Sequence, residues 1–304
     1  MSTSTLAAFF EASRTPIAMC GAGVVIFLVA LWVARTDLAQ APGLDKVIAL
    51  GNLSFAVPLA VFGALHVVDV QFVLGGVPSY MPFRLFWAYF FGFAQLAAAL
   101  SIAAKIQARW SGLLVGLMFV LFVAMLDFPG ALAEPKDRFG WTFLLRETAF
   151  ASGGWLIAVS AMPERYSSKL ISRGLVPVGR VLIGVVALFY GVQHFLHPIA
   201  RPGVPLQALM PEWIPARPLI GYLTGAMLVV AGAFILLNKK TRLAATCLGG
   251  WILLLVVFIY GPILVWSLAD PSIGTKIEGI NYFADTLLFG GAILALASAT
   301  PRTD

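Results

Sequence analysis

Three imidazoles and a few carboxylates carry most of the chemistry this chain could do. His66 and Asp69 stand in "FGALHVVD", His194 and His197 stand in "YGVQHFLH", and there is no other histidine. Residues three apart share a helix face, so each stretch presents a pair of polar groups. Brought together, His66, Asp69, His194 and His197 have the donor types that hold zinc or copper. A neutral imidazole also donates to a carbonyl and exchanges a proton near neutral pH, which suits a quinone headgroup. The plainer alternative leaves these histidines bonded to lipid headgroups, loop carbonyls or water near a membrane surface. Two acids lie inside apolar runs, Glu147 before Gly153–Gly154 and Asp285 before Gly290–Gly291. Acids within a span are costly and mark functional sites by default. Arg146 is an ordinary ion-pair partner for Glu147. Asp285 has no adjacent base and is expected to line a polar cavity. Asp127, just before Pro129, reads as interfacial, with Tyr260 in the matching place.

The elements that position these groups follow from composition. The chain is 60% hydrophobic and 11% charged over 304 residues, with a mean hydropathy of +0.93, which excludes a soluble globular domain. Its apolar runs are continuous rather than alternating, so helices and not a barrel cross the bilayer. The net charge of +6 fits basic cytoplasmic loops. The lipid bilayer is therefore the expected partner, and nucleic acid is not. Cys20 and Cys247 sit in apolar stretches and read as small buried packing residues. With no CxxC pair, a thiol–disulfide relay is not expected.

The fold class is thus all-α, a polytopic membrane protein of about nine transmembrane helices, expected near 16–34, 47–73, 83–104, 110–128, 141–162, 176–197, 218–237, 243–267 and 279–299. The first reads as an uncleaved helix rather than a signal peptide. Of the 20 Lys and Arg, twelve fall on one side of this arrangement, among them Arg35, Lys105, Arg165, Arg180, Arg242 and Arg302. Seven fall on the other, and Arg146 is inside a helix. The richer side is expected to be cytoplasmic, with the N-terminus outside, in a membrane of the bacterial inner-membrane type.

Nine helices divide into one extra and two sets of four. "FGALH" matches "YGVQH", "GGVPSYMP" echoes "PGVPLQALMP", and "SGGWLIAVSA" resembles "FGGAILALAS". Gly92 falls against Gly225, Arg109 against Arg242 and Pro129 against Pro262 at one offset. An even number of helices per unit makes this a parallel duplication. The expected division is 1–40 for the extra helix, 41–165 for the first repeat and 166–304 for the second. The Gly-x-x-His near the end of the first helix of each unit, the "VP…MP" loop and the proline ending the third helix resemble the DoxX family. Gly191, His194, Pro198, Pro205, Met210, Pro211, Gly225 and Pro262 carry the resemblance best. In the first unit Val70 replaces a proline, and "MPFRL" stands where the second has "MPEWIP". The resemblance implies a membrane subunit associated with quinone-linked oxidoreduction, with quinone as the cofactor and a soluble or membrane redox partner.

The segment His197 to Pro218 is proline-rich and holds Trp213 between two prolines. It reads either as a rigid outer cap or as a lid over a site built on His194. Three functions remain open. The first is a quinone-linked membrane subunit whose ligand residues come from His66, Asp69, His194, His197, Trp213, Glu147 and Asp285. The second is a transporter of a small or lipid-like solute, which the intramembrane acids favour; no helix pair reads as broken mid-span, which counts against it. The third is a scaffold without a ligand.

Overall fold

The computed structural model describes residues 3–162 and 169–302. The first helices are α1 (Thr3–Gln40), the short α2 (Asp45–Ala49), α3 (Gly51–Val68), the short α4 (Val70–Leu74) and α5 (Arg84–Ala103). Then come α6 (Ala108–Phe122), α7 (Phe128–Ala133), α8 (Arg138–Ser160) and α9 (Lys169–Leu196). The chain continues through α10 (Arg217–Leu236), α11 (Thr241–Leu255), α12 (Gly261–Ala269) and α13 (Ile273–Ala299). Among the described residues there is no strand, only an isolated antiparallel bridge between Ala200 and Leu209.

Eight helical stretches among the described residues are long and apolar enough to cross a membrane. The protein is therefore an integral membrane protein of the polytopic helical type, in a lipid environment. The expected helix at 141–162 corresponds to α8, which is 23 residues long but carries Arg146 and Glu147 in its interior and is not among the eight. Arg165, counted above toward the basic side, lies outside the described residues.

Helix α13 and helix α3 are the most enclosed elements. Helix α8 packs on α13; α3 lies on α13 as α9 lies on α8; α5 packs on α3 as α10 does on α9; and α6 packs on α8 as α11 does on α13. Helix α1 stands outside this paired arrangement, against α3. Small residues set the distances, as membrane helices lack a hydrophobic drive between them. A Cβ on Gly63 would lie 2.8 Å from the Gly92 carbonyl oxygen, and one on Gly191 would lie 3.0 Å from that of Gly225. The glycine of each Gly-x-x-His motif is thus the crossing point of two helices.

The local backbone follows the same pairing. Helices α5 and α6 have the lengths of α10 and α11, which begin 133 residues later. Among the described residues, the six non-glycine residues with positive φ form three pairs at that spacing: Phe83 with Ala216, Lys105 with Asn238, and Gln107 with Lys240. Five-residue π-helical turns, Val123–Asp127 and Val256–Tyr260, join α6 to α7 and α11 to α12. Each ends just before a proline, Pro129 or Pro262, which lacks the N–H that would bond four residues back. The Tyr80 hydroxyl reaches Met125 O, the carbonyl Pro129 leaves free, at 3.5 Å. The helices run on through these turns as single spans, Ala108–Ala133 and Thr241–Ala269. One correction concerns cysteine. Cys20 is half-buried, but Cys247 is exposed on the surface of α11.

The basic end is laced by ion pairs. Arg242 and Arg302 both bind the Asp45 carboxylate, the former at 2.7 Å, and Lys105 pairs with Asp37. The histidine end carries longer loops, residues 69–83 after α3 and 197–216 after α9.

Candidate functional site

The site begins with Arg146. Its Nη2 donates to Glu147 Oε1 at 2.7 Å and its Nη1 to Asp285 Oδ2 at 3.0 Å, so α8 and α13 are joined by a buried ion triad. The adjacent base that Asp285 lacks in sequence comes from another helix, α8. The guanidinium also lies 4.7 Å from the Phe143 ring centre, a cation–π contact. One positive charge faces two carboxylates, and Arg146 is close enough to Asp127 for their charges to interact. The surroundings hold more negative than positive charge.

This triad floors a cavity of about 520 Å³. Phe62, Phe119, Phe122, Phe143 and Phe150 form apolar walls, while Gln95, Asn281 and Tyr282 add polar edges and His66 stands at the rim. Gln95 is buried, on the α5 face one turn after Gly92. Arg146 Nε, Glu147 Oε2 and Asn281 Oδ1 are buried with no hydrogen-bond partner among the described residues. Such groups are costly in a low-dielectric interior unless a ligand or water completes them. His66 Nδ1 lies 2.8 Å from Phe62 O. A carbonyl only accepts, so Nδ1 carries the proton and Nε2 is the lone-pair nitrogen of the neutral ring.

Three of the expected ligand residues therefore share one cavity: His66, Glu147 and Asp285. The others do not join them. Asp69 caps the short helix α4, accepting from Phe72 N at 3.3 Å. His194 is fully buried, and its Nε2 accepts from Gly203 N–H at 3.0 Å. His197 is exposed, and Trp213 is 49% exposed on the outer loop. Among the described residues no group of three or more His, Cys, Asp or Glu could hold a metal ion. The metal set of His66, Asp69, His194 and His197 is corrected accordingly, because Asp69 is turned to its own backbone and His194 is sealed. Asp127, near the end of its span, is half-buried on a π turn with Oδ2 unpartnered among the described residues.

The loop passes over His194 at Gly203, whose φ of +101° lets the chain turn inward. Val204 and Leu206 are buried there, and Tyr260 OH donates to Pro202 O at 2.8 Å. Arg138 holds the Pro205 carbonyl at 2.9 Å, and Tyr282 OH accepts from Ala208 N–H at 2.9 Å. The segment covers His194, and its Leu206 also lines the Arg146 cavity. Sequence reasoning missed Gln95, Asn281 and Tyr282 as cavity residues. Gln95 stood out as a lone amide in the run "FAQLAAAL", a signal of the same kind as an intramembrane acid. Comparison with protein-family models, curated protein sequences and solved structures gives no match.

Proposed function

We propose that this protein is a DoxX-like membrane subunit that binds a quinone in the Arg146–Glu147–Asp285 cavity and serves a quinone-linked oxidoreductase. The observation that carries the reading is the set of open hydrogen-bond positions on an aromatic-walled cavity within the helix bundle. A bound quinone supplies two-electron, two-proton chemistry, its electrons exchanged with the redox centre of a partner protein. Arg146 Nε donates to a carbonyl oxygen, and Glu147 Oε2 and Asn281 Oδ1 accept from a hydroxyl, so the site serves both redox states. His66 Nε2 and the Glu147 carboxylate are placed to take up or release the protons. The phenylalanines would offer apolar surface to the quinone ring.

The same proposal includes α8 as a ninth span and a parallel duplication of four helices. The matched π turns, the three positive-φ pairs and the paired helix contacts support it. It also sets the Arg242–Asp45 end in the cytoplasm and the histidine end outside, on the Lys and Arg count. Transport of a small solute is the second reading, favoured by the π turns, which cluster at functional sites, and by the excess of buried acids.

The test is quinone extracted and quantified from protein purified in mild detergent, for wild type, His66→Leu and Gln95→Leu. Near-stoichiometric quinone in wild type, reduced several-fold in both variants, is the expected result. Quinone no higher than in empty micelles, together with solute flux in liposomes, would overturn it in favour of transport.

A further inference from the structure

The polar cavity does not end at His66. A second space of about 400 Å³ shares His66 and Phe122 with it and is otherwise walled by apolar groups such as Val73, Val77, Met81 and Trp87. A third, of about 730 Å³, shares Phe91 and Leu121 with the second and runs between α5 and α6 to Ser101 and Ser111. The three adjoin in series through these shared walls, polar at the Arg146 end and apolar for the rest. The succession follows α5 from near Trp87 to Ala104, about 25 Å at helical rise.

We infer that this succession is a binding tunnel for one amphipathic lipid, its redox headgroup on the Arg146 floor and its isoprenoid tail along the α5–α6 groove. The inference rests on the quinone reading and adds that the ligand is of the long-chain class. The groove is carved by small side chains: Ala94, Ala97, Ser101 and Ala104 of the α5 side. At the matching positions of the α10 side stand Met227, Val230, Phe234 and Leu237. Opposite, Met118 is matched by Trp251, whose Nε1 donates to Thr224 Oγ1 at 3.2 Å and bridges α11 to α10. The groove lies in the first four-helix segment and the polar cavity between that segment and α13, while the matching groove positions of the other segment carry larger side chains. A lateral notch for any lipid would need no such continuity with a charged floor. Apolar area along a tail of this length adds affinity in proportion to the surface buried.

The experiment titrates the full-length purified protein with two quinones of one headgroup, short-chain and long-chain, and follows quenching of intrinsic tryptophan fluorescence. Wild type should bind the long-chain form at least about tenfold tighter, a difference of about 1.4 kcal/mol. Ala97→Phe should bring the two within about twofold while leaving short-chain affinity unchanged. Ser101→Phe, deeper along the groove, is a second variant expected to give the same result in smaller measure. Equal affinity for both quinones in wild type overturns the tunnel and leaves the headgroup site standing. Failure of both to bind, with phospholipid co-purifying instead, overturns the site as well.

Discussion

Residues 51–160 and 174–299 place the same helices in the same relations and arrive at opposite interiors. Around His66 the first segment sets Gln95, Phe119, Phe122, Arg146 and Glu147 about a cavity. Around His194 the second sets Leu228, Ile252, Leu255, Phe283 and Ala284 at the matching places, four of them buried. Above that apolar floor the loop carries Gly203 inward, so that a backbone N–H reaches the imidazole Nε2, while Nδ1 is buried without a partner among the described residues. Asp127, with an open oxygen, is matched by Tyr260, whose hydroxyl is spent on Pro202. Two differences account for the contrast: the lining residues and the lengths of the loops, 69–83 against 197–216. The comparison teaches that the Gly-x-x-His motif belongs to the helix crossing. Whether its histidine faces a ligand is decided elsewhere.

The largest test of this contrast is Arg146→Leu, which strands Glu147 and Asp285 as uncompensated buried charges. A loss of about 3–5 kcal/mol is expected, read from unfolding in detergent, whereas Phe283→Leu at the matching place should cost no more than about 1.5 kcal/mol. Equal losses would mean the triad is not a special feature of the first segment. Next comes the helix crossing. A Cβ on Gly92 would lie 2.7 Å from His66 Cβ, against 3.2 Å from His194 Cβ for Gly225. Gly92→Ala should therefore destabilise by about 1–3 kcal/mol, and Gly225→Ala by less. A reversed order in melting temperature would place the tighter crossing in the wrong segment.

Smaller still is Tyr260→Phe, which removes the bond to Pro202 that anchors the loop. About 0.5–1.5 kcal/mol should be lost, with faster amide exchange at Gly203 as its signature. Unchanged exchange there would show that the loop is held without Tyr260. The smallest is Asp37→Asn at the far end. The pair with Lys105 is half exposed, and no more than about 0.5 kcal/mol should be lost, vanishing at high salt.

Much of the scaffold is legible in the amino-acid order, because a bilayer demands long apolar runs and punishes acids within them. The helix ranges fall close to those expected, and Glu147 and Asp285 are conspicuous for their cost. Arg146 is harder to read. Its neighbour in sequence explains it fully until α13 is placed beside α8, and only then does it become the centre of three charges. The cavity is harder again. Its walls come from α3, α6 and α8, and each phenylalanine taken alone is an ordinary apolar residue. His66 and His194 sit in near-identical words, so nothing local separates an open imidazole from a sealed one. The difference is made by a loop that returns from beyond the helix, with a glycine in a backbone conformation other residues rarely adopt.

The two π turns have a consequence for how this chain tolerates change in length. A turn that closes five residues apart stores one residue more than an α-helix of the same span. Losing a single codon within 123–127 would let the helix relax to regular geometry while its distal ends stay nearly in place. The side chains of the turn itself would be re-aimed, carrying Asp127 off its present heading, while the helix beyond keeps its facing. The same loss within 256–260 would turn Tyr260 away from Pro202. Each turn is therefore a ratchet position, at which a one-residue step re-aims a side chain without rebuilding the fold.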